Sequence, residues 1–424
     1  MIPRNLTLLA FGLISSLVHG DGLAERFLTA HGNEIHDGKG AAVMLRGVNL
    51  GSWLVFEPWM CPMDASGLKD DHAAREVLAR RFGEASAEGL LRTYQENWIT
   101  GKDLDNIAAL GMNLIRIPFW YRNLQTEDGS WIAGGLNRLD WVVSEAWKRG
   151  IYTILDLHGA PGGQTKGISV GRQRDKAELW DSEPNLRRTA AIWRKIAEHY
   201  RGNPAIAAYD LLNEPSEAPS LGALWCVYDR LYREIRQADP EHMITMEGCI
   251  NARLGNKNIN WGWDALPHPD LFGWKNVVYQ LHCYEWDWNN LEKQKHNIDD
   301  QVSEWNKHKP DGVPVFIGEF NPMSHEAAWS YALQQFNAAG MHWAFWNYKA
   351  THGSGTDSWG LYNPLKKNAP NLLTDDAATI HAKWQVTDTG SSYAINPMLE
   401  RVLKTALKPP VAATGKPGSV SLNP

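Results

Sequence analysis

Short apolar runs alternate with longer amphipathic stretches along most of the chain. The segments 101–110, 186–200 and 224–238 each place apolar residues on one helical face. The apolar runs are rich in β-branched residues and end in polar or glycine-rich sequence, a pattern typical of strands buried on both faces of a parallel sheet. The runs cover residues 43–50, 112–119, 152–158, 206–214, 242–248, 277–284, 314–320 and 341–348.

This alternation predicts a (β/α)₈ barrel, also called a TIM barrel, in an α/β domain that we assign to residues 21–407. An open doubly wound sheet is the alternative. It is disfavoured because the sequence has no GxGxxG after the first strand and no P-loop. Residues 27–37 predict a small hairpin that closes the bottom of the barrel. Residues 58–89 predict a long first loop with a helical second half.

The two ends of the chain differ in character from this domain. Arg4 precedes an apolar run over residues 6–18 and a group of small residues, which predicts a signal peptide over residues 1–20. The run is too short to span a bilayer, so we expect a secreted or periplasmic protein without a transmembrane segment. Residues 408–424 are rich in proline, glycine and serine and predict a flexible tail.

Composition narrows the possible partners. Lysine and arginine total 42 against 48 acidic residues, a net charge of −6, so no basic field would attract nucleic acid. The chain contains 21 tryptophans among 424 residues. This number favours indole rings that stack on sugar rings, and a tryptophan-rich core is the alternative. We expect a monomer that acts on an oligosaccharide or polysaccharide.

The cysteines give little support for a metal site. The four of them lack the spacing of a zinc site, and the sequence has no HExxH, so we expect no metal. A disulfide between Cys249 and Cys283 and two buried free thiols are equally compatible with the sequence.

Polar residues end nearly every apolar run. The carboxyl ends of barrel strands form the active face of such enzymes, so we expect these side chains to meet there. They are Asn49, Arg116, His158, Asn213, Glu214, Glu247, His282, Tyr284, Glu319 and Trp346.

Two of these residues, Glu214 and Glu319, follow apolar residues of the fourth and seventh strands, on opposite sides of the barrel. A carboxylate in such a place is costly unless it faces an open mouth. Two carboxylates about 5–5.5 Å apart serve a retaining glycosidase as nucleophile and acid/base.

The triplets around these two glutamates resemble those of glycoside hydrolase family 5, a large clan of retaining β-glycanases. They are Asn213-Glu214-Pro215 and Gly318-Glu319-Phe320, and the resemblance covers residues 27–405. It implies that Glu214 is the general acid/base and that Glu319 is the nucleophile. It implies no cofactor, because two carboxylates and a water molecule suffice.

The resemblance also implies roles for the neighbours of the glutamates. Arg116 and Tyr284 would contact the nucleophile, and His282 would orient the acid/base. Asn213 would bond the 2-hydroxyl of the sugar. Trp346 would form the floor of the sugar-binding subsite, which His158 also lines. Because every family position is filled, a binding protein without catalysis is the weaker alternative.

The sugar and the linkage are less clearly indicated. Residues 47–54, which include Asn49, and residues 57–59 resemble the exo-β-1,3-glucanase branch of the family. In that branch the residue matching Glu57 helps to bind the terminal glucose. Three other segments resemble bacterial β-1,4-glucanases: residues 246–248, 346–349 and 359–362.

Residues 229–244 have features of the glycolipid-cleaving members. We therefore expect a retaining hydrolase of a β-glucan, with β-1,3 slightly preferred over β-1,4 and possible exo action. Endo-β-1,4-glucanase, β-mannanase and glycolipid glycosidase activities are the alternatives. A glycolipid substrate would need an exposed apolar patch, for which Trp261, Trp263 and Phe272 are the candidates; otherwise these are core residues.

Overall fold

The apolar runs form one closed barrel of eight parallel strands, so the predicted fold is confirmed. The computed structural model describes residues 26–64, 67–254, 257–260, 262–351, 353–354, 357–366 and 368–408. The strands in chain order are β1 (Thr29–His31), β2 (Glu34–His36), β3 (Arg46–Asn49), β4 (Leu114–Trp120), β5 (Tyr152–Gly159), β6 (Ile206–Asp210), β7 (Met243–Glu247), β8 (Asn251–Leu254), β9 (Lys257–Asn260), β10 (Val277–Cys283), β11 (Val315–Phe320), β12 (His342–Phe345), β13 (Gly353–Ser354), β14 (Asp357–Ser358), β15 (Tyr362–Pro364) and β16 (Tyr393–Ile395).

The barrel runs from β3 through β4, β5, β6, β7, β10 and β11 to β12, which pairs again with β3. Trp343 of β12 lies opposite Arg46 of β3, and this parallel pairing closes the ring. The fourth barrel strand, β6, is shorter than predicted. It ends at Asp210, and residues 211–214 lie in the loop beyond it. Glu214 has a φ of 42° and precedes a proline, so the chain leaves the extended conformation there.

Helices surround the barrel and turn their apolar faces toward it. Ser220 accepts a hydrogen bond from the amide of Ala223 at the start of one helix, a typical N-cap. Leu231 and Ile235 of that helix are buried. The helices are α1 (Asp71–Phe82), α2 (Glu84–Trp98), α3 (Gly101–Ala109), α4 (Asn137–Trp147), α5 (Glu183–Tyr200), α6 (Leu221–Ala238), α7 (Leu291–His308), α8 (Glu326–Ala339), α9 (Ala377–Trp384) and α10 (Pro397–Ala406).

The hairpin β1–β2 closes the amino-terminal end of the barrel, as the sequence predicts. The amide of Ala30 donates to Asn276 Oδ1 at 2.7 Å, just before β10 begins. Apolar side chains fill the space above the hairpin, among them Leu28, Ile35, Leu45, Leu114, Tyr152, Ile154, Met243, Val278 and Phe316. This apolar group, which we call the bottom cluster, seals that end of the barrel.

Most tryptophans whose burial is described belong to the core, which corrects the emphasis on sugar stacking. Trp53, Trp98, Trp193, Trp329, Trp343 and Trp384 are fully buried. Trp131 and Trp286 are the tryptophans of the described part with large exposed fractions, 43% and 62%. A barrel of this size uses indole rings to fill the wide spaces between strands and helices.

Other predictions concern the cysteines and the ends of the chain. Cys249 and Cys283 are buried free thiols rather than a disulfide. No helix in the described part of the chain is long and apolar enough to cross a membrane. The predicted signal peptide and Trp261 lie outside the described residues, and so does the predicted tail beyond residue 408.

Candidate active site

Arg116 extends from β4 into the centre of the carboxyl-terminal mouth of the barrel and is fully buried. Its Nε donates to Asp210 Oδ2 at 2.8 Å, and its Nη1 donates to Glu319 Oε1 at 2.8 Å. Its Nη2 donates to Glu247 Oε1 at 2.9 Å and lies 3.1 Å from Asp156 Oδ2. One guanidinium thus contacts four carboxyl groups.

This arrangement places four acidic side chains around one guanidinium in a buried space. Although burial opposes it, the surrounding carboxylates hold the pKa of Arg116 well above its usual value. Burial raises the pKa of Asp156 and that of Asp210 to about 7, and it raises the pKa of Glu247 well above its ordinary range. Near neutral pH, Asp156, Asp210 and Glu247 therefore keep protons that the same side chains would lose in water.

The two predicted asparagines also contact the guanidinium. Asn49 Oδ1 accepts from Arg116 Nη1 at 3.1 Å, and its Nδ2 donates to the carbonyl of Gly318 at 2.8 Å. Asn49 is fully buried by these contacts, so it lies beneath the site rather than on its surface. Asn213 Oδ1 accepts from Arg116 Nη2 at 2.9 Å, which leaves its NH₂ group as the part that can donate to a ligand.

Glu319 lies near the carboxyl end of β11, and neighbouring side chains orient both of its carboxylate oxygens. Oε1 accepts from Arg116, and Oε2 accepts from the hydroxyl of Tyr284 at 2.9 Å. His282 Nδ1 lies 3.5 Å from Oε2. The predicted contacts of Arg116 and Tyr284 with Glu319 are therefore present. These two hydrogen bonds hold the carboxylate in one orientation.

Glu214 reaches the mouth from the loop after β6. Its Oε1 lies 2.8 Å from His282 Nδ1, and its side chain is 20% exposed. Burial raises the pKa of Glu214 and lowers the pKa of His282 to about 3. The side-chain nitrogen Nε2 of Gln280 lies 3.3 Å from His282 Nε2. If it donates there, the imidazole proton sits on Nδ1 and is donated to Glu214.

The two glutamates approach each other closely across the mouth. Glu214, His282 and Glu319 each place one ligand atom so that all three atoms lie within 4.8 Å of one another. The opposing strands predicted from the sequence thus bring these carboxylates together, with His282 between them.

His158 and Trp346 stack on each other. Their rings stack with centroids 5.6 Å apart and planes 12° apart. His158 Nδ1 lies 2.6 Å from Asp156 Oδ2, and burial lowers the pKa of His158 to about 4, so the ring is neutral at neutral pH. A Cβ at Gly51 would approach the Trp346 indole to 2.7 Å, so the first barrel loop needs glycine there.

Glu57 lies near the two glutamates, Glu319 and Glu214. Its Oε2 accepts from the indole nitrogen of Trp59 at 3.1 Å. Burial, together with the nearby Glu319 and Glu214, raises the pKa of Glu57 to about 8. At neutral pH this side chain is therefore a neutral carboxylic acid, able to donate a hydrogen bond.

A series of aromatic contacts connects Trp59, the neighbour of Glu57, with Tyr284, the neighbour of Glu319. Trp59 contacts Trp359 at 5.4 Å between ring centroids. Trp359 in turn lies 6.0 Å from Tyr284. The exposed Trp286 stacks on Tyr284 at 5.4 Å and 21°. Sequence reasoning assigned no site role to Trp286 or Trp359. Trp286 could have been predicted from the sequence, because it stands two residues after the predicted site residue Tyr284.

Three buried polar residues of the site were also missed by sequence reasoning. Asp156 and Asp210 contact Arg116, and Gln280 contacts His282. Asp156 and Gln280 each stand two residues before a predicted strand-end residue, and alternate strand residues share a face. Asp156 before His158 and Gln280 before His282 could have been found from that spacing.

The site offers donor atoms that metal ions can use. Asp156, Asp210 and Glu247 place one oxygen each within 4.8 Å of one another. The guanidinium of Arg116 already lies against all three, so the protein supplies the positive charge there.

Comparisons with known proteins agree with this geometry. Residues 81–352 match the family described as Cellulase (glycosyl hydrolase family 5). A β-xylosidase of Phanerodontia chrysosporium is 26% identical over 412 residues, which cover 90% of this chain and 83% of that protein. A probable glucan 1,3-beta-glucosidase A of Aspergillus terreus is 32% identical over 289 residues, 65% of each chain.

Solved structures share the fold at low sequence identity. The rutinosidase from Aspergillus niger superposes with a TM-score of 0.60 and 17% identity, covering 80% of this chain and 96% of that one. An endogalactoceramidase superposes with a TM-score of 0.59 and 18% identity, covering 89% of this chain and 84% of that one.

Proposed function

Because the chain belongs to glycosyl hydrolase family 5, we propose that this O-glycosyl hydrolase cleaves β-glucosidic bonds of a β-glucan with retention of configuration. The observation that carries the proposal is the approach of Glu214 and Glu319, whose nearest oxygens lie within 4.8 Å. Retaining glycosidases place their carboxyl groups about 5–5.5 Å apart, whereas inverting enzymes need a wider gap for water.

In the first step, Glu319 attacks the anomeric carbon of the sugar. The bond from that carbon to the leaving oxygen breaks as the bond to the Glu319 carboxylate forms. The proton of Glu214 passes to the departing oxygen, which leaves as an alcohol. Arg116 and Tyr284 support this step because they orient the attacking carboxylate.

In the second step, Glu214 is ionised and takes a proton from an incoming water. The water oxygen bonds to the anomeric carbon, and the ester bond to Glu319 breaks. The raised pKa of Glu214, caused by burial, suits a group that begins as an acid. A neutral His282 that donates to Oε1 supports the ionised form after the proton has left.

The substrate we favour is a β-1,3-glucan attacked from its end, with β-1,4 linkage as the close alternative. Support comes from relatives named glucan 1,3-beta-glucosidase, one of them 32% identical to this chain. Glu57 provides a neutral donor beside Trp59 and near the two glutamates, suited to a terminal glucose hydroxyl. Residues 1–20 support our further proposal that the protein is secreted.

A glycolipid substrate has weaker support. Trp263 is buried, and its indole nitrogen donates to the carbonyl of Gln301, so it is a core residue. Phe272 is partly buried and stacks on Trp274 at 4.6 Å. These two side chains do not form the exposed patch that the sequence suggested.

Product chromatography after incubation with β-1,3-glucan and, separately, with β-1,4-glucan tests the substrate. Release of glucose alone from the β-1,3 polymer would support exo action. An oligosaccharide ladder would overturn exo action, and activity confined to the β-1,4 polymer would overturn the linkage. A Glu319→Gln preparation incubated in parallel shows whether any product comes from a contaminating glucanase.

Chemical rescue tests the role of Glu214. The Glu214→Ala variant should recover part of its activity when azide is added with an aryl glucoside that has a good leaving group. Azide attacks the glycosyl-enzyme without base assistance, so the product should be a β-glucosyl azide. Absence of rescue would contradict the acid/base assignment.

A further inference from the structure

Glu247 is the last residue of β7 and is fully buried beneath the mouth. Its two carboxylate oxygens serve different parts of the site. Oε2 accepts the backbone amide of Glu214 at 2.8 Å. Oε1 accepts from Arg116 Nη2 at 2.9 Å and from the side-chain amide of Gln280.

The contact with Glu214 acts on an unusual backbone. The φ of 42° at Glu214 lies in the left-handed region, which residues with a Cβ adopt at a cost. Such a conformation persists only when its surroundings hold it. The hydrogen bond from this amide to Glu247 supplies such a hold, on the residue whose side chain reaches the mouth.

The second oxygen connects Glu247 to the other glutamate. Arg116 donates through Nη2 to Glu247 and through Nη1 to Glu319 Oε1. Glu247 therefore lies one contact from the backbone of Glu214 and two contacts from the carboxylate of Glu319.

The main chain of Glu247 is anchored independently of its side chain. Its amide donates to the hydroxyl of Tyr228 at 3.1 Å, and that hydroxyl donates to its carbonyl at 2.9 Å. Tyr228 belongs to α6, so the end of β7 is held from outside the barrel. The carboxylate thus projects from a fixed base into the site.

We propose that Glu247 is a positioning residue. It holds the acid/base Glu214 in place through the backbone amide of Glu214, and through Arg116 it links this placement to the position of the nucleophile Glu319. The inference rests on the proposed function of Glu214 and Glu319. It adds a residue from the fifth barrel strand to the set that determines the rate of leaving-group protonation.

Leaving-group dependence distinguishes this role from a merely structural one. A dinitrophenyl glucoside needs no protonation of its leaving group, whereas an unsubstituted phenyl glucoside depends on the acid. In Glu247→Gln, one amide oxygen cannot accept from both Glu214 and Arg116, and the NH₂ group opposes a donor. We expect kcat/KM to fall about 100-fold more for the phenyl than for the dinitrophenyl substrate, the order of a general acid's contribution.

Two further variants keep the test decisive. Glu247→Asp retains a carboxyl group but is too short to span both partners, and it should show the same discrimination between substrates if Glu247→Gln does not fold. Asp239→Asn is the matched control, since Asp239 is a fully buried carboxylate that accepts from Tyr209 outside the site. It should lower the thermal midpoint without discriminating between the substrates.

Equal losses on both substrates in the folded Glu247 variants, or no loss, would overturn the positioning role. Azide rescue of Glu214→Ala, measured in parallel, separates this failure from failure of the proposed function. Rescue together with equal losses rejects only the role of Glu247, whereas absent rescue rejects the acid/base assignment on which it rests.

Discussion

The two ends of the barrel solve opposite physical problems. At the amino-terminal end, the bottom cluster and the hairpin β1–β2 bury carbon against carbon. At the carboxyl-terminal end, Arg116 contacts four buried carboxyl groups. Apolar burial stabilises the fold directly, whereas four buried acidic groups around one guanidinium are tolerated only because the rest of the structure holds them. The bottom cluster therefore contributes chiefly to stability, and the side chains at the mouth contribute chiefly to chemistry.

A single strand shows the contrast. In β11, Phe316 lies in the bottom cluster, and Glu319 reaches the mouth only three positions later. Changes at these two positions should therefore have opposite signatures, one in catalysis and one in stability.

The largest effect is expected from Glu319→Gln. It removes the proposed nucleophile, so kcat should fall by about 10⁴-fold or more, the order found when a covalent nucleophile is lost. The thermal midpoint should stay unchanged or rise, because one of four carboxyls around Arg116 becomes neutral. Kinetics with an aryl glucoside and thermal unfolding check both effects. Glu326→Gln is the control, because Glu326 lies on α8 and pairs with Arg401 at the exposed surface. It should change neither kcat nor the thermal midpoint.

The second effect is on stability alone. Phe316→Ala leaves a cavity in the bottom cluster, so the free energy of unfolding should fall by about 3–5 kcal/mol. The value of kcat at 25 °C should remain near that of the wild type, since the mouth is built from the other end of the strand. Denaturant unfolding and steady-state kinetics check this. A loss of kcat without a loss of stability would break the comparison.

The bottom also contains a group that makes stability depend on pH. Burial lowers the pKa of His342 to about 3, and its Nδ1 accepts the amide of Leu45 at 3.1 Å. The unfolded chain binds a proton below about pH 6.5, and the folded protein does not. The stability contributed by the neutral ring is therefore present above pH 6.5 and is lost as the pH falls toward 3.

The corresponding variant is His342→Asn, whose Oδ1 can still accept from Leu45. Between pH 7 and pH 5, the wild type should lose about 2 kcal/mol relative to this variant, at about 1.4 kcal/mol per pH unit below 6.5. Denaturant unfolding at the two pH values measures the difference. Parallel curves would contradict the assignment of a neutral buried His342.

The smallest effect concerns binding at the mouth. Glu57 has a pKa of about 8, raised by burial, so it ionises as the pH rises from 7 to 9. The wild type should then lose a hydrogen-bond donor, and KM should rise about fivefold, the order of one neutral hydrogen bond. In Glu57→Gln, which keeps a neutral donor, KM should stay flat over this range. An equal rise in both proteins would place the titration elsewhere.

The sequence predicted the fold well because each barrel strand has an apolar run of its own. It predicted the positions of Glu214 and Glu319 for the same reason: both follow such a run. The predicted end of the fourth barrel strand was four residues too late, because the buried Leu211 and Leu212 continue the apolar run beyond Asp210.

Other features depend on three-dimensional proximity. Asp156, Asp210 and Glu247 come from three strands, and only the closed ring brings them to Arg116. Their raised pKa values follow from depth of burial, which spacing along the chain does not reveal. The tryptophan count suggested ligand stacking, whereas most of the described indoles fill the core.

The central claim is that Glu319 forms a covalent bond to the sugar, and trapping tests it most directly. The protein would be incubated with 2-deoxy-2-fluoro-β-glucosyl fluoride, in which the 2-fluorine slows both steps and the good fluoride leaving group lets the intermediate form faster than it is hydrolysed. Peptide mass spectrometry would then locate the label. The account predicts one fluoroglucosyl group on Glu319 and none in Glu319→Gln. Attachment to Glu214, or turnover of the wild type to an inverted product without any label, would contradict it.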